Sequence, residues 1–414
     1  MTMQTHHHPL RNPRFAKLLG YRCMLVMSYQ ILMVVVGWHL YQITHDTLSL
    51  GLIGLAEIIP YFASALFAGY AVDHYSKRNF AVLSGLIMLI SSLILASVNQ
   101  LADITQAPLW IYGCVVLIGF GRAFIAPSYS AMFAAILPRH QFAEASSLGS
   151  SAFQIGLVLG PAVGGILVGW LGIEFAYRVA GGFGLAAALT LLTLAIETPK
   201  VSHEAEIFKG IAEGLRFVFH HQIVLSALAL DMFAVLFGGA VAMLPAFIHD
   251  IYLQGPEGLG ILRAAPAVGA IMTSLYLAHK PIREHAGQRL LWAVSGFGLC
   301  MIAFALTKDF WFAAAILMIS GMLDGISVVL RSTIIQLATP DRMRGRVASI
   351  NGLFIGSSNE LGAFESGVAA RLMGLVPSVV FGGVMTLLVV GWTSIKAPKL
   401  RALNLHQLEQ EQQH

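Results

Sequence analysis

Residues 69–98 read GYAVDHYSKRNFAVLSGLIMLISSLILASV, in which a charged turn is followed by residues 79–98, a run without a charged side chain. An α-helix rises 1.5 Å per residue, so about 20 apolar residues cross the hydrocarbon core of a bilayer. The run has that length, and Lys77 and Arg78 border its N-terminal side. This stretch predicts a membrane-spanning helix that starts at a charged turn.

The composition extends this prediction to the whole chain. Of the 414 residues only 11% are charged and 57% are hydrophobic, and the mean hydropathy is +0.74. A soluble domain carries about 25% charged residues. The net charge of +4 comes from basic residues spread over many short segments, which argues against nucleic-acid binding because that requires a clustered basic face. Membrane lipid is therefore the predicted surrounding of this chain.

Further apolar runs of spanning length follow one another along the chain. Charged, Pro or Gly residues separate them, and together they predict an all-α membrane protein with twelve transmembrane helices. The predicted spans are 18–43, 48–72, 79–98, 108–137, 143–170, 175–196, 222–248, 257–279, 288–307, 311–337, 347–372 and 375–396.

The loops between these runs alternate in charge. One set is basic, as at Lys77 and Arg78, whereas the other carries acids such as Asp46 and Asp103, with Lys308 as its one clear cation. Short loops rich in Lys and Arg stay in the cytoplasm. The pattern predicts a multi-pass protein of the bacterial cytoplasmic (inner) membrane with both termini in the cytoplasm.

The longest polar stretch, 197–221, divides the spans into two sets of six. It combines charged residues with the apolar residues Ile207, Phe208, Ile211, Leu215 and Phe217, which predicts an amphipathic helix on the membrane surface. The predicted domains are a cytoplasmic tail at 1–17, a six-helix bundle at 18–196, this linker at 197–221, a second six-helix bundle at 222–396 and a cytoplasmic tail at 397–414.

An internal repeat supports the division into halves. When residue 137 is placed on residue 339, small residues of the first half coincide with small residues of the second. The coincident pairs are Gly119 with Gly321, Ser147 with Ser349, Gly160 with Gly362 and Gly165 with Gly367. Duplicated halves are common in secondary transporters, so the pattern predicts two pseudo-symmetric six-helix bundles.

Ionisable side chains inside the spans are the first candidates for function, because a charge in hydrocarbon is costly unless it is paired or faces water. Proton coupling needs an acid whose partner changes between conformations, and Glu57, Asp231 and Glu360 are the candidates for that role. Static ion pairs that stabilise the bundle are the alternative. The predicted proton-coupling and substrate-cavity residues are Glu57, Arg122, Asp231, Arg263, Asp324, Arg331, Asn359, Glu360 and Glu365.

Two pairings follow from the positions of these residues. Glu57 and Arg263 occupy nearly corresponding places in the two halves, which suggests an ion pair between them. Asp324 and Arg331 are seven residues apart and so share one helix face. Either both face a cavity, or Arg331 extends toward the membrane surface.

The turn after the second span combines a glycine, an acid and two bases. Gly69, Asp73, Lys77 and Arg78 occur there in a pattern that resembles the loop motif of the major facilitator superfamily. The resemblance implies a cytoplasmic gate formed by the acid and the bases, with Gly69 in a packing role. The corresponding turn of the second half, 278–283, lacks the acid.

The fifth span contains a glycine-rich run, GLVLGPAVGG at 156–165. Small residues allow two helices to approach closely, and a proline permits bending, so simple packing is one interpretation. The run is also similar to the motif that marks exporters and antiporters in the same superfamily. The residues concerned are Gly156, Gly160, Pro161, Gly164 and Gly165.

Other stretches narrow the resemblance to the enterobactin-exporter-like branch of drug:proton antiporters. They run across nearly the whole chain, at 230–235, 262–266, 331–333, 339–347 and 356–362. Members of this branch export siderophores or drugs, so the resemblance implies a small-molecule substrate without identifying it.

These observations predict a secondary active exporter that works by alternating access and proton antiport. No GxxxxGK[ST] loop for nucleotide occurs, so the proton gradient is the expected energy source. No catalytic residue, cofactor or metal site is predicted, and the expected state is a monomer. The alternatives are an importer or proton-independent facilitator on the same fold, a membrane enzyme, for which no nucleophile or metal cluster is visible, and a sensor.

Overall fold

The computed structural model describes residues 9–101, 103, 105–194, 207–280, 282, 284–340 and 343–405, and this part of the chain forms helices and no strands. The helices are α1 (Pro13–Thr44), α2 (Thr47–His74), α3 (Lys77–Leu101), α4 (Ala107–Ala123), α5 (Ile125–Ile136), α6 (Phe142–Leu171), α7 (Ile173–Leu192), α8 (Ile207–His220), α9 (Gln222–Phe237), α10 (Leu244–Ala246), α11 (Pro256–His279), α12 (Ala286–Leu306), α13 (Phe310–Ala338), α14 (Arg344–Met373), α15 (Leu375–Lys396) and α16 (Pro398–Arg401). Parts of the predicted tails and linker, 1–8, 195–206 and 406–414, lie outside the described residues.

Eleven helical segments of the described chain are long and apolar enough to cross a membrane. The segment missing from this set is α14, which has 30 residues but carries Glu360, Glu365 and Arg371. Its length spans a bilayer, and its polar residues lower its hydropathy below that of a lipid-facing helix. With α14 included, the fold has the twelve predicted spans.

Two spans that were predicted as continuous helices are interrupted. Between α4 and α5 the N–H of Phe124 bonds to Gly121 O at 3.3 Å, three residues back, and Pro127 has no N–H for the carbonyl of residue 123. After α9 the chain passes through 3₁₀ turns at Gly239–Met243 and a π-helical turn at Phe247–Tyr252. Broken spanning helices are tolerated only inside protein or beside a cavity.

The helices form two compact units, each with its own internal packing. The first contains α1, α2 from Ala56, α3 to α7 and the segment Gln254–Ala264. The second contains Asp46–Leu55, the chain from α8 to Leu253 and everything described after Ala265. The units differ from the expected bundles 18–196 and 222–396 at two segments. The start of α2 belongs to the second unit, and the start of α11 belongs to the first.

The same helix pairs recur in both units. In the first unit α1 packs on α6 and α7, and α3 packs on α4 and α7. In the second unit α9 packs on α14 and α15, and α12 packs on α13 and α15. Counted from the start of each set of six spans, these are the same pairs, so the packing repeats as the sequence repeat predicts.

Close glycine contacts explain why the two segments are exchanged. A Cβ atom on Gly165 of α6 would lie 2.8 Å from Gly260 Cα, at the start of α11. A Cβ on Gly367 of α14 would lie 2.6 Å from Gly51 Cα, at the start of α2. Both crossings are possible only because neither helix has a side chain at the contact. Gly165 and Gly367 are one of the coincident pairs of the repeat.

Gly367→Leu is expected to destabilise the second unit. The new side chain must separate α14 from the start of α2, and overpacking of this kind costs about 1–3 kcal/mol. Thermal unfolding of the purified chain in detergent measures the effect. Gly391→Leu on α15 is the matched control, because a Cβ at Gly391 meets no described atom within 4 Å. Equal losses of Tm in both variants would contradict the prediction.

Candidate functional site

The first unit contains an ion pair between the buried Glu57 of α2 and the half-buried Arg122 of α4. Glu57 is 0% exposed, and its Oε1 accepts hydrogen bonds from Arg122 Nη1 and, at 2.7 Å, from Tyr29 Oη. Arg122 Nη1 also lies 2.8 Å from Tyr29 Oη. Three helices, α1, α2 and α4, therefore contribute one side chain each to a connected polar cluster. We call Tyr29, Glu57 and Arg122 the first cluster.

Aromatic rings enclose the guanidinium of this cluster. Arg122 Cζ lies 5.2 Å from the ring centroids of both Tyr29 and Tyr61, within the range of cation–π attraction. Tyr61 follows Glu57 by one helical turn and shares its face, as the spacing indicates. The other carboxylate oxygen, Glu57 Oε2, is buried and has no hydrogen-bond partner among the described residues. The cluster therefore has an oxygen that can accept a proton.

The position of Arg122 depends on the break between α4 and α5. Arg122 lies in the last turn of α4, two residues before Phe124. Gly119, one turn earlier, is in contact with the Glu57 carbonyl of α2, and a side chain there would collide with it. This close approach brings the guanidinium to Glu57. Glu57 forms its ion pair with Arg122 of α4, and its other side-chain partner is Tyr29 of α1. The expected pair of Glu57 with Arg263 is therefore wrong.

The second unit contains its own buried ion pair, between α9 and α13. Arg331 is 2% exposed and Asp231 6% exposed, and Arg331 Nη1 contacts Asp231 Oδ2. Of the two alternatives for Arg331, the structure therefore excludes extension to the membrane surface. Asp231 lies two turns before the break at Gly238, so this pair, like the first cluster, adjoins an interrupted helix.

Asp324 lines a small cavity beside this pair. The cavity has room for about one water molecule, and Asp231, Asp324 and Ser327 are its polar lining residues. Ser327 is 3% exposed and its Oγ has no hydrogen-bond partner in the described chain. Asp231 therefore belongs both to the ion pair with Arg331 and to the lining of the cavity that it shares with Asp324. We call Asp231, Asp324, Ser327 and Arg331 the second cluster.

The internal repeat places a residue of the first cluster and a residue of the second cluster, of opposite charge, at equivalent positions. Arg122 follows Gly119 by three residues, and Asp324 follows Gly321 by three residues. Gly119 packs on α2 at Glu57 and Pro60, and Gly321 packs on α11 at Pro266. Equivalent positions therefore carry a cation in the first unit and an acid in the second.

The remaining predicted cavity residues lie on α11 and α14. Asn359 is exposed, and its Nδ2 donates to Ile355 O of its own helix at 3.0 Å. Glu365 is half-buried, with Oε2 3.5 Å from Ser366 Oγ. Arg263 and Glu360 are also half-buried. The functional roles of these four residues stay predictions.

The predicted gate residues lie at the α2–α3 turn. Lys77 is 7% exposed, and Arg78 Nη1 donates to Leu194 O at 3.3 Å. A Cβ on Gly69 would meet no described atom within 4 Å, so this glycine is not at a tight contact. The Asp73 side chain lies outside the described part. The gate stays a prediction.

The glycine run of α6 faces two neighbours. Cβ atoms on Gly156 and Gly160 would lie 2.6 Å from Val26 Cγ1 and 2.5 Å from Gln30 Cβ of α1. Gly164 is at ordinary contact distance from Ile31, and Gly165 contacts the start of α11. Pro161 lies within the helix. The run therefore packs closely, and this geometry is compatible with both interpretations of the motif.

Two residues of the clusters, Tyr29 and Ser327, were not among the predicted site residues. Each is a hydroxyl side chain within a spanning run, and the only signal was that polarity. Many hydroxyls in spanning helices bond to their own backbone, as Ser64 does to Pro60 O at 2.6 Å. Tyr29 and Ser327 differ from these only through tertiary contacts.

Buried ion pairs beside interrupted spanning helices, repeated in two units, are typical of a multi-pass membrane transporter. Among the described residues no group of three or more His, Cys, Asp or Glu could hold a metal ion. Such a protein works in lipid on a small-molecule substrate. The model of the Major Facilitator Superfamily matches residues 18–363, and the chain belongs to that superfamily.

Relatives with related transport roles match almost the whole chain. The multidrug efflux pump Tap of Mycolicibacterium fortuitum is 26% identical over 390 residues, covering 91% of this chain and 93% of the relative. The enterobactin exporter EntS of Shigella boydii serotype 18 is 26% identical over 392 residues, covering 92% and 90%.

Solved structures share the fold. A bacterial homologue of the human lysosomal transporter Spinster, in an inward-facing and unoccupied conformation, has a TM-score of 0.73 at 16% identity, covering 95% of this chain and 97% of that one. A D-xylose–proton symporter also has a TM-score of 0.73, at 14% identity, covering 95% and 100%.

Proposed function

We propose that this chain is a secondary active exporter that moves a small organic molecule outward in exchange for protons, by alternating access. The observation that carries the proposal is Glu57, a fully buried acid with one oxygen paired to Arg122 and Tyr29 and the other without a partner. A group of this kind can bind and release a proton where no bulk water competes.

The chemistry of the first cluster suggests how the proton is exchanged. While Glu57 is ionised, Arg122 balances its charge. When Glu57 binds a proton at Oε2, the attraction between α2 and α4 at this ion pair is lost, and the balance between conformations in which these helices pack differently changes. Antiport then requires that the cargo binds only while Glu57 is ionised, so that proton and cargo occupy the protein in alternation and move in opposite directions.

The direction and the cargo class rest on the relatives. A drug efflux pump and a siderophore exporter both match over more than 90% of this chain, which supports outward transport of a siderophore or drug-like molecule. The glycine run of α6 supports the same direction through its similarity to the exporter motif. The basic loops support the bacterial inner membrane with both termini in the cytoplasm, and a monomer is sufficient because one chain contains both clusters.

Transport by proteoliposomes tests the proposal. The purified chain is reconstituted, and flux of candidate siderophores and cationic dyes is measured with and without an imposed pH gradient. The pH gradient is expected to drive the cargo across the membrane against its own concentration gradient. Flux that equilibrates the cargo at the same rate with and without the gradient would contradict antiport and make a proton-independent facilitator the better assignment.

A further inference from the structure

A cleft outside the spanning helices lies between α8 and the start of α14, within the second unit. Its volume is about 530 Å³, and its lining residues are Glu213, Arg216, Phe217, His220, Met343 and Arg346. Pockets of about 300–1,000 Å³ accommodate small ligands. Neither buried cluster contributes to this cleft, so the coupling chemistry leaves it unassigned.

The walls of the cleft are held in place by apolar packing. Val218 of α8 is 0% exposed and packs with Val347 and Ile350 of α14. A Cβ on Gly214 would lie 2.8 Å from Ile350 Cδ1, so the two helices approach closely at this glycine. Because α8 is anchored on α14, its polar side chains are presented to the cleft in a fixed arrangement.

The charged side chains that line the cleft have a net positive charge. Arg346 forms an ion pair with Glu213 across it, so these two charges balance. Arg216 is exposed, and its guanidinium has no hydrogen bond or ion pair with the residues that the structure describes. His220 Nδ1 lies 2.7 Å from Arg216 O, which holds the imidazole at the same edge. The cleft therefore favours an anion, and Arg216 is the group available to bind it.

Apolar side chains border this cation on the outer surface of α8. Leu215 is 36% exposed and Phe219 is 59% exposed, and their spacing of four residues places them on one helix face. An amphipathic helix with exposed Leu and Phe beside Arg lies in the plane of the membrane surface, with its apolar face among acyl chains. A ligand of this surface must therefore combine a phosphate-like anion with an apolar chain.

We propose that the cleft between α8 and α14 binds the phosphate group of an anionic phospholipid. Arg216 contacts the phosphate with paired N–H donors, which is the geometry that guanidinium groups favour. The acyl chains lie along Leu215 and Phe219, and Glu213 limits the affinity by balancing Arg346. Inorganic phosphate shares the headgroup chemistry but makes no use of the apolar face.

Lipid binding to the purified full chain tests this site without measuring transport. Native mass spectrometry, with phosphatidylglycerol titrated against a phosphatidylcholine background, gives the affinity for the wild type and three variants. Arg216→Gln is expected to weaken phosphatidylglycerol binding roughly five-fold, the effect of one basic residue at an anionic membrane surface. Glu213→Gln is expected to strengthen it. Arg289→Gln removes another exposed arginine, outside the cleft, and should match the wild type.

Two results would overturn the proposal. If Arg216→Gln and Arg289→Gln bind phosphatidylglycerol as tightly as the wild type, the lipid does not occupy the cleft. If millimolar inorganic phosphate displaces phosphatidylglycerol from the wild type, the site recognises a soluble phosphate and the lipid assignment is wrong. Thermal unfolding of each variant in detergent verifies that it is folded, and Arg216→Gln should unfold like the wild type because its side chain is exposed and forms no bond with a described residue.

Discussion

Glu57→Gln is expected to reduce pH-gradient-driven export to the level of protein-free liposomes. Glutamine has nearly the same shape as glutamate, and its carbonyl can still accept the hydrogen bond from Tyr29 at the 2.7 Å observed for the acid. It has no proton to bind or release in the physiological range. When the pH is equal on both sides of the membrane, exchange of internal for external cargo should continue, because exchange needs the conformational change but no net proton movement.

The control for this prediction is Glu174→Gln on α7. The Glu174 side chain is 41% exposed and pairs with Arg178 four residues later at 3.3 Å, and a solvent-accessible pair of this kind contributes little. Wild-type flux is expected in that variant. Gradient-driven export that persists in Glu57→Gln would show that another group carries the proton. Loss of both driven export and exchange would instead assign Glu57 to cargo binding.

Arg331→Met is expected to be among the most destabilising single substitutions in the second unit. It leaves Asp231, which is 6% exposed, without its cation, beside a cavity that Asp324 also lines. Removal of one partner from a buried ion pair typically costs about 3–5 kcal/mol, because the remaining charge is desolvated and unpaired. SDS-induced unfolding of the purified chain in mixed micelles measures this loss.

The double variant Asp231→Leu with Arg331→Met provides the control. Because it removes both charges of the pair, most of the lost stability should return, and the two single effects should be strongly non-additive. Additive losses would mean that the two side chains do not interact energetically. Export by the same double variant is also informative. If the variant is folded but does not export cargo, the second cluster has a role in transport in addition to stability.

Much of this architecture follows from the sequence because a bilayer allows few solutions. A spanning segment must be a long apolar helix, so the twelve spans and the membrane class were accessible from run lengths alone. Even α14, which is too polar for a composition test, was recognisable as a run of helical length between charged loops. The breaks after α4 and α9 were not accessible, because proline and glycine in a span are also compatible with a continuous helix.

The candidate site was accessible only as a set of residues. Glu57, Arg122, Asp231 and Arg331 were predicted because charges inside spans are costly. Their partners were not predictable, and the expected pair of Glu57 with Arg263 is replaced by the pair with Arg122. Periodicity determines which face of a helix a residue occupies, but it contains no information about which other helix packs on that face.

The sequence by itself therefore determined the lipid surroundings, the helical class, the repeat and the identity of the buried charges. The tertiary structure decided how those charges are paired. The physical reason lies in contacts such as that of Gly119 with the Glu57 carbonyl, where the absence of a side chain sets how closely two helices approach. A change of a few ångströms in that approach would leave the sequence pattern intact and separate Arg122 from Glu57.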